Sequence, residues 1–533
     1  MPFRAMARAR AASIGRDMLE RVPSRAARFL LVMLLFLAVA VGACRWLLPE
    51  RFAVNAPIRQ LLFGSGRDAP AAEAVGGLLS VPDGFVIELW ADGIPNARLL
   101  RFTPAGDLLV STPRTGRILL VERDRDGDGW PDGRRVLLEE LDRPHGLDLH
   151  DGWLYVGETG AIARVRFDAQ RRSIDGPLER VVTDLPAGGN HWTRTLRFGP
   201  DGWLYVSIGS SCNVCLETDP RRAALVRYRP DGSDEQVVAT GLRNAVGFDW
   251  HPATGDLYAT DNGRDLLGDD FPPCELNRIV PGGFYGWPIA HGDRVPDPEF
   301  GKGRQAEIER SLPPVHAFRA HNAPLGIQFL RGGHWPPDYR HAAIVALHGS
   351  WNRTRKDGYE VVSLHRGAAG AIEERRFVTG FLREDEEVIG RPVDVAEGPD
   401  GAVYVSDDYA GAIYRIALAG NTQRSRPGRS EAPAPAAGGR APLAERPAAA
   451  REAARRRGAA LYRTHECTRC HDPEQADPGV VVVPLGAAQL REKYDVEELS
   501  AYLLAPTPPM PAFPLAESER RDLAVFLLAA PAG

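Results

Sequence analysis

A recurring unit constrains this chain more than any single motif does. Six stretches line up: "NARLLRFTPAGDLLVSTPRTGRILLVE", "PHGLDLHDGWLYVGETGAIARVRF", "TRTLRFGPDGWLYVSIGSS", "NAVGFDWHPATGDLYATDNG", "PLGIQFLRGGHWPPDYRHAAIVALHGS" and "RPVDVAEGPDGAVYVSDDYAGAIYRI". Each holds a short alternating strand, a turn of glycine, aspartate or proline, and a second strand of the "LYV" type, often followed by a third. Most need a fourth strand to complete a sheet. Six units over residues 80–417, with almost no helical periodicity, predict a mainly β fold, a six-bladed β-propeller. A two-sheet sandwich explains less, because its strands would have no reason to recur with the same turn.

The 533 residues, 44% hydrophobic and 25% charged, suffice for a large core plus a smaller domain. A net charge of -5 gives a nucleic-acid partner no electrostatic support. Charge asymmetry is confined to the N-terminus, where Arg4, Arg8, Arg10, Arg16, Arg21, Arg25 and Arg28 face only Asp17 and Glu20. An unbroken apolar run follows from Phe29 to Cys44 and extends to Leu48. This pattern predicts an export segment over residues 1–50, a transmembrane or signal helix that puts the rest on the periplasmic face of the inner membrane. An uncleaved anchor is favoured over lipidation at Cys44 in "VGAC" or secretion after cleavage.

Near the other end, "HECTRCHDP" carries Cys467, Cys470 and His471 as Cys-x-x-Cys-His. That spacing lets two thiols join the vinyl groups of one haem c while the adjacent histidine binds its iron. A zinc knuckle would need two further ligands. Of five methionines, only Met510 lies in the exported part, 39 residues after His471 in "PTPPMPAFP", a proline-stiffened loop suited to hold a thioether over the open face of the iron. Gly458 and Tyr462 lie one helical turn apart, so a helix presenting Leu523, Phe526 and Leu527 can cross closely at the glycine. Residues 451–533 resemble a small, all-α class I cytochrome c. Residues 418–450, rich in alanine, proline, glycine and arginine, read as a disordered linker tethering it.

Propellers bind ligands along the central channel, where inner strands and their loops converge. Three stretches there are unusually polar: "GGNHWTRTLRFGPDG" with His191, "TGLRNAVGFDW" with Arg243 and Asn244, and "CELNRIVPGGFYGWP". A neutral histidine beside a fixed guanidinium suits alcohol oxidation, one taking the hydroxyl proton and the other stabilising charge on the acceptor. Spacing alone leaves His191 open between that role and a satisfied structural histidine.

These stretches resemble the quinoprotein glucose and sorbosone dehydrogenases, six-bladed propellers that use pyrroloquinoline quinone (PQQ) and Ca2+, over essentially all of residues 80–417. "HGSWNRTRKDGYEV" and the last repeat look closest to the L-sorbosone branch. The resemblance implies that His191 is the general base and that Arg243, accompanied by Asn244, lies on the quinone carbonyl. It further implies that Gly263 and Arg264 offer calcium their carbonyls, with Glu275 and Asn277 ordering the loop. Arg353 and Arg391 are the implied contacts of the cofactor carboxylates, with His348 or Asn352 as substitutes. The loop from Asp261 to Glu275 is longer than in the glucose enzymes, and Cys274 stands where an acid is expected.

Cys212 and Cys215 suit a local disulfide in an oxidising compartment, ahead of a bridge to Cys274 or a metal site. Asp124, Asp126, Asp128 and Asp132 have calcium-loop spacing, but Arg135 occupies the place of the bidentate glutamate. His145 faces the channel by repeat logic, as a pocket residue or a structural one. The combined expectation is a membrane-attached PQQ-dependent dehydrogenase that oxidises a sugar, sugar aldehyde or alcohol. Its own haem c would pass the electrons to a periplasmic or membrane acceptor. The competing readings are a calcium-dependent propeller lactonase and a non-catalytic docking module on an electron-carrying cytochrome.

Overall fold

The computed structural model describes residues 53–57, 66–367 and 370–420, and then 448–465, 467–471, 490, 494, 496–504, 515 and 517–529. The apolar run, Cys44, most of the linker and Met510 lie outside them. Among the described residues no helix is long and apolar enough to cross a membrane.

Each sequence repeat becomes a sheet whose first strand contacts the first strands of neighbouring sheets, so the six form a ring of blades. The inner strands are Leu100–Phe102, Gly146–His150, Leu196–Phe198, Ala245–Trp250, Pro324–Phe329 and Pro392–Glu397. Second strands such as Leu204–Ile208 and Ala343–Leu347 are buried at every residue, because both faces of a blade are covered by its neighbours. This explains why "LYV" strands read as apolar runs while inner strands alternate.

The recurring turn is also explained. In "GPDGWLY" and "GPDGAVY", Asp201 and Asp400 accept the Tyr205 and Tyr404 hydroxyl protons at 2.9 and 3.1 Å. Side chains at Gly199 and Gly398 would collide with those carboxylates, so the turn admits glycine there.

Fourth strands complete the blades. In the fourth blade, His316–Phe318 arrives only after an excursion over residues 280–315 that carries a two-stranded hairpin. In the sixth, the fourth strand comes from the other end of the chain. Phe85–Ala91 pairs antiparallel with Ala412–Leu418, Phe85 opposite Leu418 and Leu89 opposite Tyr414, and closes the ring.

One polar residue from each inner strand joins a second ring around the axis: Arg101, Asp148, Arg197, Asp249, Gln328 and Asp394 in chain order. Arg101 pairs with Asp148 at 2.6 Å and Arg197 with Asp249 at 2.9 Å. Where glutamine breaks the alternation, Arg331 reaches Asp249 at 2.7 Å. Each aspartate also accepts a backbone N–H of the next blade, from Phe198, Phe329 and Leu100 respectively. Charge pairing thus ties blade to blade along the channel, where apolar packing gives way to polar groups.

Among the described residues the α-helices are α1 (Ala72–Leu78), α2 (Gln305–Arg310), α3 (Ala448–Thr464), α4 (Thr468–His471), α5 (Val496–Leu504) and α6 (Glu517–Ala529). Helices α3, α5 and α6 share a core of Ala454, Leu499, Leu503, Leu523, Ala524 and Leu528. A Cβ at Gly458 would overlap the Asp522 carbonyl, so α6 crosses α3 at the glycine, and Tyr462 meets Phe526 with ring centres 5.4 Å apart. Cys467 is half-buried just before α4, which carries Cys470 and ends on His471.

Candidate active site

Strands in a blade are antiparallel, so the entry to an inner strand and the exit of the second strand lie at the same end. At one end of the propeller these segments enclose a cavity of about 400 Å³, within the range of small-molecule sites. Its walls include His191, Arg243, Asn244, Gly263, Cys274, His348 and Arg391, which sequence reasoning had singled out. Arg98, Trp192, Asn262, Asp265, His321 and Trp351 join them. Arg98 was legible by the same logic, because it stands before the first inner strand as Arg243 and Arg391 stand before theirs.

The proton position on His191 follows from its partners. Nδ1 lies 2.9 Å from both the carbonyl and the hydroxyl of Ser210, and that hydroxyl donates to the Cys212 carbonyl at 2.7 Å. With the hydroxyl proton spent and a carbonyl able only to accept, Nδ1 carries the hydrogen and Nε2 the lone pair. Burial, then the charge of Arg243, pushes the His191 pKa down to about 3, so the imidazole is neutral at pH 7. His348 is lowered to about 4 by burial and Arg391, and bonds Asp408 at 2.9 Å. Asp408 also pairs with Arg98 at 2.6 Å. Against the effect of burial, His348, Arg98 and Arg391 hold this carboxylate well below its usual range.

Arg243 spends its five N–H donors on the protein. Nε reaches the Asn213 carbonyl at 2.9 Å, Nη1 the Asn262 and Gly263 carbonyls at 3.2 and 2.8 Å, and Nη2 Asn213 Oδ1 and Asp265 at 2.9 and 2.7 Å. It therefore presents its charge to the cavity from a fixed position in the wall. Behind it, Asp261 accepts the backbone N–H groups of Arg243 and Asn244. Burial and the facing Glu275 raise the pKa of Asp261. Arg391 donates to the carbonyls of His348 and Gly349.

Arg353 is not in the cavity wall: its guanidinium bonds the carbonyls of Asp269 and Ala320 and pairs with Asp270, tying two loops together. Asn352 acts on the same loop, accepting from Leu266 N at 2.7 Å. Gly263, one of the two residues expected to offer calcium a carbonyl, stands in the cavity wall. The Gly263 carbonyl is given to Arg243, and the Arg264 guanidinium is turned to Asp297 at 2.6 Å and Glu299. Among the described residues no cluster of three acidic, histidine or cysteine ligands surrounds that loop. Glu275 and Asn277 bond each other at 2.9 Å, Glu275 also accepting from Gly292 N, and so order the loop from behind. Of its two expected roles His145 takes the structural one, buried behind Trp192 with its ring edge-on to the indole at 5.8 Å.

Cys212 and Cys215 are joined in a disulfide, and Cys274 remains a buried thiol in the cavity wall, its pKa pushed up to about 11 by burial. Asp124, Asp126 and Asp128 gather their carboxylates in the turn before the fourth strand of blade one. Asp132 is drawn away to Arg125 and Arg135 pairs with Glu122 at 2.5 Å, so the fourth acid of the sequence spacing leaves the set.

Two buried side-chain oxygens in the cavity wall, Asn244 Oδ1 and Asn262 Oδ1, have no hydrogen-bond partner in the protein. Such unmet acceptors beside Arg98, Arg243 and Arg391 fit an anionic, polar ligand, and PQQ with its carboxylates and ring N–H is of that chemistry.

Residues 79–273 and 302–419 match the family model described as TrAA12-like. The chain belongs to the TrAA12-like family. It is 30% identical over 362 residues to an uncharacterized protein of Borreliella burgdorferi, covering 65% of this chain and 92% of that protein. It is 23% identical to a PQQ-dependent pyranose dehydrogenase of Coprinopsis cinerea, covering 63% of this chain but only 54% of that enzyme. An aldose sugar dehydrogenase of Escherichia coli is also 23% identical, over 64% of this chain and 94% of its own length. Among solved structures, the PQQ domain of the Coprinopsis enzyme in its holo form superposes with TM-score 0.55 at 20% identity, covering 66% of this chain and 98% of that one. A calcium structure of the Trichoderma reesei family AA12 enzyme superposes with TM-score 0.56 at 22% identity, over 64% and 97%. Both show the shared fold. The expected likeness to quinoprotein sugar dehydrogenases is thus met at the level of the family, while these relatives do not single out the sorbosone branch. The C-terminal helices α3 to α6 lie beyond the family match.

His191 yields a prediction on stability. Its folded pKa is depressed below the ordinary 6.5, so its contribution to stability is present above that pH and is lost as pH falls toward 3. The raised buried acids, among them Asp261 and Asp394, act in the opposite sense, so the comparison must be with a variant. In urea unfolding of the cofactor-free protein between about pH 6.5 and 4, His191→Gln should remove up to ~1.4 kcal/mol per pH unit of the acid-side loss. Parallel curves for the two proteins would refute the assignment.

Proposed function

We propose that this protein is a PQQ-dependent sugar dehydrogenase, of sorbosone or aldose type, which delivers electrons to a covalently attached haem c. The observation that carries this reading is a neutral, tautomer-fixed histidine in the wall of a cavity flanked by three guanidinium groups. The PQQ-dependent enzymes among its relatives support the cofactor.

PQQ held there would supply a two-electron acceptor for the hydride of the substrate carbon. The residues of the chain do the rest. Arg98, Arg243 and Arg391 hold positive charge against an anionic ligand, and Asn244 and Asn262 offer it the unmet oxygens of their amides. His191 takes the substrate hydroxyl proton at Nε2, while Ser210 keeps the ring oriented through Nδ1. Trp192 and Trp351 give the wall apolar faces that exclude water.

Cys467 and Cys470 would anchor the haem, with His471 and Met510 as iron ligands. Haem so ligated would supply a one-electron exit. The polypeptide sits on the periplasmic face of the inner membrane, anchored through its N-terminal apolar run, and hands electrons to a periplasmic or membrane acceptor.

The test is reconstitution of the full chain with PQQ and calcium, addition of a panel of sugars, sugar aldehydes and alcohols, and observation of the haem absorbance. Reduction that needs both PQQ and a substrate is expected. Haem that stays oxidised with every substrate would count against a dehydrogenase and leave a lactonase or a docking module.

A further inference from the structure

Cys212–Asn213–Val214–Cys215 closes a four-residue ring beside the cavity, and its second residue holds two residues of the wall, Arg243 and Asp265. The Asn213 carbonyl accepts Arg243 Nε at 2.9 Å and Trp287 Nε1 at 3.3 Å. Its Oδ1 accepts Arg243 Nη2 at 2.9 Å and the Asp265 N–H at 2.8 Å, and its Nδ2 donates to the Asp265 carbonyl at 3.1 Å. The same ring reaches His191, because the Cys212 carbonyl accepts the hydroxyl of Ser210, whose own carbonyl accepts from Nδ1. Ser210 N donates in turn to the Arg243 carbonyl at 2.7 Å. Next to the ring, Ser211 is fixed by Glu217 at 2.6 Å and by Asn190 N at 2.9 Å.

We propose that Asn213 is a positioning residue for both Arg243 and His191, and that the Cys212–Cys215 disulfide is the redox-sensitive latch that keeps it in place. A linear CNVC segment would have to fix its own backbone for the Asn213 carbonyl and amide to meet one guanidinium together. The disulfide removes that freedom beforehand. Both cysteines are half-buried, within reach of a small dithiol. Reduction breaks the S–S bond and forms two thiols, and the dithiol is oxidised to its own disulfide. The catalytic consequence rests on the reading of the cavity as a dehydrogenase site, whereas the latch itself does not.

Phenylglyoxal labelling of the full chain, read at Arg243 by peptide mass spectrometry, tests the latch without PQQ or substrate. With dithiothreitol, labelling of Arg243 should rise by about tenfold, the factor expected when a hydrogen bond to a charged group is lost. It should fall again on reoxidation, while labelling of the half-buried Arg227, held by Gln236 and Asp201, stays constant and reports an intact fold. Asn213→Ala should label fast in both redox states, and Asn213→Asp, which keeps the acceptors, should behave as the parent. An unchanged rate at Arg243 with both thiols shown free by mass would overturn the proposal, even if Asn213→Ala does not fold. In the PQQ-loaded protein, reduction should lower kcat by a similar factor and leave KM within about twofold. An oxidised protein without any turnover would sink the dehydrogenase reading and not the latch.

Discussion

Under the proposed function, His191→Ala should lower PQQ- and sugar-dependent reduction of the haem by about 10²–10⁴-fold, the contribution of a positioned general base. The fold should survive, because the imidazole is held by Ser210 alone and its neighbours Arg194 and Arg222 take their carbonyl partners from the backbone of His191, Thr193 and Gly209. PQQ affinity should change little, since the cationic wall remains. Stopped-flow measurement of haem reduction after mixing with sugar separates the two effects, and added imidazole should restore part of the lost rate. A variant that reduces its haem within about tenfold of the parent rate would remove His191 from the chemistry.

Deleting residues 80–93, and with them the closing strand Phe85–Ala91, should abolish cooperative folding of the propeller. Phe85, Ile87, Leu89 and Trp90 are each at most 9% exposed. At ~1.5–3 kcal/mol for each large apolar side chain, the strand supplies roughly 6–12 kcal/mol, as much as a whole domain's net stability of about 5–15 kcal/mol. The deletion also bares the edge of Ala412–Leu418, a strand buried along most of its length and a template for aggregation. Leu89→Asp is the milder form of the same test, because it leaves one unpaired charge in the core of blade six. Circular dichroism melting and the soluble fraction on expression are the readouts. A truncated chain that melts within about 5 °C of the parent would show that five and three-quarter blades suffice.

Blade number was legible because the repeat is local: each turn and each pair of strands is written within some twenty residues. The closing strand was less legible, because Phe85–Ala91 finds its partner more than three hundred residues away, and no local pattern names that partner. Arg101, Asp148, Arg197, Asp249 and Gln328 could have been read from the aligned repeats at one column, whereas Asp394 stands two residues before the matching Ala396. His321 and Trp192 flank those columns, in loops whose course the repeat does not prescribe. Arg353 shows the limit most clearly. It sits in the expected late blade, yet its guanidinium turns to the carbonyls of Asp269 and Ala320.

By itself the sequence determined the propeller, the haem attachment motif and the pairing of a histidine with an arginine before consecutive inner strands, since all three depend on spacing along the chain. Only the tertiary structure decided that the proton of His191 sits on Nδ1, that Arg243 is held between the disulfide-closed loop and the segment 262–265, and that Arg353 turns away from the cavity. Those depend on which donors and acceptors meet across blades, and hydrogen bonds between distant loops leave no periodic trace in the order of residues.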